Sequence, residues 1–78
     1  MKFNTFHTPG VPGTVRAHQL TAHEISFMQE EGHMLYGVGL VEFRSTTRPI
    51  VGNWIVYRKG EVAFRMTDEK FHEVYERK

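Results

Sequence analysis

From Thr14 to Leu20 (TVRAHQL) apolar and polar positions alternate, Val15 and Ala17 on one side and Arg16 and His18 on the other, which is the period of a strand. The period then changes. Thr21, Ala22, His23 and Glu24 have the form of a capping box, in which the threonine hydroxyl accepts from a first-turn amide and the glutamate accepts from the cap residue's own amide. With Leu20 and Ile25 placed as a hydrophobic staple, the spacing predicts a helix that runs through Met28 and stops near Gly32.

Residues 33–44 (HMLYGVGLVEFR) are rich in aliphatic and aromatic side chains and too interrupted by glycine for a helix, so they are expected to form one strand. Gly37 and Gly39 would share a face of it, leaving a shallow slot for a ring or a peptide unless a neighbouring side chain fills it. A loop at residues 45–49 leads into a hairpin over residues 51–64 (VGNWIVYRKGEVAF). Beyond it, Thr67 with Asp68 and Glu69 repeats the capping device, and Phe71, Val74 and Tyr75 form a single apolar stripe on a short C-terminal helix.

Turn chemistry sets the expected register of the hairpin. A two-residue loop at Lys59–Gly60 would force lysine to positive φ, whereas a three-residue loop at Arg58–Lys59–Gly60 puts glycine at the left-handed position. Tyr57 then pairs with Glu61 and Ile55 with Ala63. Trp54, Val56, Val62 and Phe64 make one wholly apolar face, expected in the core, and Ile55, Tyr57, Glu61, Ala63 and Arg65 make a mixed one. Isoleucine and tyrosine beside arginine have the composition of an interface centre, so Ile55, Tyr57, Arg58, Lys59 and Arg65 are the candidate partner-binding residues. The competing readings are a second helix packed over that face, or a half-solvated face with scattered apolar residues.

The element order is strand, helix, three strands, helix. It predicts an α+β domain over residues 14–78, a small and mostly antiparallel sheet of three or four strands with two short helices packed on it. Residues 1–13, carrying TPGVPG, are expected to be an arm or an edge strand, with Phe3 and Phe6 covering an apolar edge. At 78 residues there is room for one core, and the absence of cysteine removes disulfides and thiolate metal sites. No signal peptide or membrane-length apolar run is legible, so an intracellular location is expected. The net charge of +1 argues against a dedicated nucleic-acid binder, yet residues 44–65 hold Arg44, Arg48, Arg58, Lys59 and Arg65 against Glu61 alone.

Candidate chemistry is sparse. The histidines lack zincin spacing, and His18, His23 and His33 fall on different predicted elements. No serine or threonine sits in a nucleophile elbow, and Glu30 and Glu31 are neighbours that point apart on a helix. Gly37-Val38-Gly39 lacks the rest of a phosphate-binding loop. The reading is therefore no enzyme, no metal and no cofactor.

The segments Val15-x-Ala17-x-Gln19-x-Thr21, Gly52-Asn53-Trp54-Ile55-Val56, Gly60-Glu61, Met66-Thr67-Asp68-Glu69 and Phe71-x-x-x-Tyr75-Glu76 resemble a family of small proteins of tailed bacteriophages and prophages. The chain departs from that pattern with Val51 in place of proline and Asn53 in place of aspartate. The resemblance implies a phage accessory protein, acting in the host cytoplasm by non-enzymatic binding that inhibits or redirects a bacterial host protein, alone or as a homodimer. Two other expectations stand beside it: a nucleic-acid binder using the basic hairpin with Tyr57 as a stacking platform, and a minor virion or assembly component.

Overall fold

The computed structural model describes residues 2–32, 34–39 and 41–78. Its elements in chain order are β1 (Asn4–His7), β2 (Val15–Gln19), α1 (Ala22–Ser26), β3 (Gln29–Glu30), β4 (Leu35–Val38), β5 (Val41–Arg44), β6 (Trp54–Tyr57), β7 (Ala63–Met66), α2 (Asp68–Val74) and β8 (Glu76–Arg77). The fold is α+β. Among the described residues, eight short strands form one mixed sheet in the order β3-β4-β5-β7-β6-β2-β1-β8, with β5 and β7 parallel and the other pairs antiparallel. The sheet is thus larger than the three or four strands expected, for three local reasons.

First, the strand expected over residues 33–44 is a hairpin. Val38 pairs with Val41, which leaves two residues for the turn, and Gly39 at φ +60 supplies the positive φ that a two-residue hairpin loop requires. His33 and Leu40 lie outside the described residues. Secondly, α1 ends early: Phe27 is its C-cap, and Gln29 and Glu30 pair with Gly37 and Tyr36 instead of extending the helix to Gly32. A helix with so short an apolar stripe gains more from backbone pairing to β4 than from one further turn. Thirdly, the N-terminal residues enter the sheet, with β1 between β2 and β8. Phe6 is buried there, edge-on to Trp54 and Phe71 at 5.5 and 4.9 Å.

The caps form as their sequences dictate. Thr21 and Glu24 close a full capping box, and Thr67 accepts from the Lys70 amide. In the β6–β7 connection Glu61 N donates to Arg58 O at 3.0 Å, and Gly60, φ +84, takes the second central position of a type II turn. The strands pair as Trp54↔Met66, Ile55↔Arg65 and Val56↔Phe64, two residues out from the expected Ile55↔Ala63. A slip of two conserves the faces, because side chains alternate with period two.

Each face carries its own core. On one, Phe6, Val15, Ala17 and Val56 pack against Phe71 and Tyr75 of α2, with Trp54, Met66 and Val74 at the margin. Trp54 stacks on Phe71 at 3.9 Å with the planes 2° apart. Asp68, the first residue of α2, accepts from the Trp54 indole at 2.8 Å and from the Gln19 amide at 3.2 Å, pinning the helix to β6 and β2. On the other face Leu20, Tyr36, Val38, Phe43, Ile55 and Ala63 are buried together, covered at the margin by Phe3, Ile25, Met28, Val41 and Tyr57.

Candidate functional site

Each face of the β6–β7 hairpin carries part of a core, which redistributes the expected site. Ile55, read as exposed, is fully buried beneath the second core. Conversely Val62 and Phe64, read as core, are exposed at 57% and 39%: Val62 precedes β7 and borders an open groove, and of the β7 residues Met66, not Phe64, packs on the cluster under α2. Trp54 is half-buried and Val56 is buried, as the expected core face requires.

Arg65 shares its face with Ile55 and Tyr57 but turns toward the loop before β6. Its Nε donates to Ser45 Oγ at 2.7 Å and its Nη1 to Asn53 Oδ1 at 3.3 Å. Ser45 Oγ in turn donates to the Thr47 carbonyl, and Asn53 Oδ1 accepts from Ile50 N at 2.9 Å. Ser45 and Asn53 are buried, so this arginine satisfies polar groups that water does not reach, and its role is to hold residues 45–53 against the sheet. Asn53 accepts a local backbone bond, with its neutral side chain facing the guanidinium.

Gly37 and Gly39 make no common slot. Gly37 is buried in β4, where an added Cβ would meet only the Val41 carbonyl oxygen at 3.9 Å, and Gly39 belongs to the turn. The concavity lies elsewhere. β5 and β7 are paired only at Phe43↔Ala63 and Arg44↔Phe64, and on the N-terminal side of these pairs a groove of about 570 Å³ opens. Phe3, Leu35, Val41, Tyr57, Val62 and Ala63 make its apolar walls, and Glu42, Arg44 and Glu61 supply its charges. This volume lies within the range of ligand-sized sites, about 300–1,000 Å³.

Tyr57 is the one expected site residue that lines this groove. It is half-buried, edge-on to Phe3 at 5.2 Å, and on its other side borders a smaller concavity with Thr14, Arg16, Lys59 and Gly60. Lys59 thus stays close to Tyr57, while Arg58 lines a separate cleft with His7, Val11 and Tyr75. Arg48 lies 3.9 Å from Glu30. The basic residues of 44–65 are distributed around the molecule and do not form one patch. Phe3 and Arg16 were missed as site residues; the usable signal was alternation in β2, which puts Arg16 and His18 on the side opposite Val15 and Ala17.

Phe3 is held from below. It lies 5.6 Å from the His18 ring, whose Nδ1 is 2.8 Å from the Lys2 carbonyl oxygen and whose Nε2 is 2.8 Å from both Glu24 carboxylate oxygens. The ring thus bridges the Lys2 carbonyl and the Glu24 carboxylate. Burial raises the Glu24 pKa, but the His18 hydrogen bond, the Thr21 amide, the imidazole charge and the Thr21 hydroxyl outweigh it and hold the carboxyl below its ordinary value. The cluster ties β2, α1 and the residues before β1 into one support for the groove wall. Among the described residues no group of three or more His, Asp or Glu is placed to hold a metal ion, and no helix is long and apolar enough to cross a membrane.

No protein-family model, curated protein or solved structure matches the chain.

Proposed function

We propose that the chain is a non-enzymatic binding protein, a phage accessory product as its resemblance implies, that takes hold of a bacterial host protein through the groove beside Tyr57. One observation carries the reading: apolar side chains from β1's approach, β4, β5, β6 and β7 converge on an opening that the molecule's own elements leave uncovered, with Val62 exposed at its edge. An aromatic-lined apolar floor with arginine and carboxylates at the margin is the anatomy of an interface centre with a polar rim. Ile55 and Arg65 support such a surface from within and do not touch the partner; Tyr57 and Val62 do.

The test is site-specific photocross-linking. A benzophenone side chain placed at Val62 is expected to capture a discrete host protein in bacterial lysate, and the same group at exposed Glu69 on α2 is expected to capture none. Val62→Glu, with an unchanged circular dichroism spectrum, is expected to abolish the interaction. Equal capture from both positions, or undiminished binding by Val62→Glu, rejects the groove as the binding surface.

A further inference from the structure

We infer that the smaller concavity on the other side of Tyr57 is an oxyanion site that takes a phosphoryl group. Thr14, Arg16, Tyr57, Lys59 and Gly60 line an open concavity of about 420 Å³ there. Every polar side chain among them carries a hydrogen-bond donor, two are cations, and none is a carboxylate. β-pairing sets Arg16 directly opposite Tyr57, so the guanidinium and the phenol leave the sheet on one face, and Lys59, in the type II turn two residues beyond Tyr57, lines the same concavity.

Arg16 is partly oriented already. Its Nη2 donates to the Phe3 carbonyl at 3.1 Å, which leaves the remaining donors of the planar fork for a ligand. Neither Arg16 nor Lys59 has a carboxylate within ion-pair distance among the described residues, and Glu61 lines the apolar groove on the far side of Tyr57. Two like charges converging on a concavity without a counter-charge are relieved by a bound anion. Donors arriving from a strand, a facing strand and a turn suit a tetrahedral oxyanion, for which the arginine fork is matched. The site requires no protein partner and stands apart from the groove reading.

The experiment is NMR titration of the full chain at constant ionic strength, with inorganic phosphate and, separately, a nucleoside 5′-monophosphate. Saturable shifts are expected at Thr14, Arg16, Tyr57, Lys59 and Gly60. Arg16→Gln combined with Lys59→Gln changes two exposed side chains and is expected to weaken binding at least tenfold, while Lys70→Gln on α2 leaves it unchanged. Tighter binding of the monophosphate identifies a phosphate ester as the source, and equal binding identifies the free anion; both support the site. Shifts that never saturate and spread over all cationic residues, or binding retained by the Arg16→Gln, Lys59→Gln variant, overturn it.

Discussion

The two faces of the sheet are closed by different means. On one, a single amphipathic helix lays Phe71, Val74 and Tyr75 over β6, β2 and β1 and seals an aromatic cluster. On the other, cover is assembled from pieces: Ile25 of a five-residue helix, Met28, Phe3 from the N-terminus, and the β4–β5 hairpin. A helix brings its stripe ready-made, so one docking event closes a face. Pieces that arrive from separate parts of the chain meet imperfectly, and the groove beside Tyr57 is where they fail to meet. The sealed face holds the domain together; the pieced face leaves an opening for binding.

Removing the keystone of the sealed face tests this most severely. Phe71→Ala deletes a fully buried ring stacked on Trp54 and is expected to cost about 3–5 kcal/mol, which rivals the whole stability of a domain this small, so urea denaturation should find it largely unfolded. Ile55→Ala on the pieced face is expected to cost about 2–4 kcal/mol, since Ile55 is fully buried there. A solvent-facing isoleucine would cost within about 0.5 kcal/mol, so the same denaturation curve separates the two placements.

Arg65→Met keeps the aliphatic stem but removes the donors that reach buried Ser45 and Asn53. The expected loss is about 1–3 kcal/mol, with faster amide exchange in residues 45–53. The smallest effect is electrostatic. Because the Glu24 pKa is depressed in the fold, its contribution is fully present above the ordinary value of 4.5 and is lost as pH falls through the lower folded value. Chemical denaturation as a function of pH should show that acid loss in the wild type and a shallower one in Glu24→Gln, whose cost at neutral pH is about 1 kcal/mol or less.

The residues of the motifs Val15–Thr21, Gly52–Val56, Gly60–Glu61 and Met66–Glu69 have physical roles in this comparison. Gln19, Trp54 and Asp68 meet in one hydrogen-bonded pin on the sealed face, and Gly60 makes the type II turn. Asn53 takes part in the Arg65 network at the opposite face. These are devices of folding; Gly60 also lines the donor-rich concavity, and its neighbour Glu61 lines the groove beside Tyr57.

Several features were legible residue by residue. The Gly39 hairpin was among them in principle, as glycine opening a two-residue loop between valines, but a glycine-punctuated apolar run also fits a continuous strand, and only pairing with β5 distinguishes the two. β3 and β8 had no legible signal, being two residues each and existing only because a neighbouring edge offers partners. Nor could Arg65 be told from an outward-facing cation, since its acceptors are 12 and 20 residues away in the chain.

By itself the sequence determined both helix caps, the positive φ at Gly60 and which residues of β6 and β7 share a face, because each depends on neighbours a few positions apart or on the two-residue period of a strand. The tertiary structure alone decided which shared face is covered, and by what. Ile55 is inside because distant segments close over its side of the sheet, and Val62 is outside because it stands at the groove those segments leave open. Such coverage depends on where elements far apart in the chain come to rest, and alternation along a single strand carries no information about that.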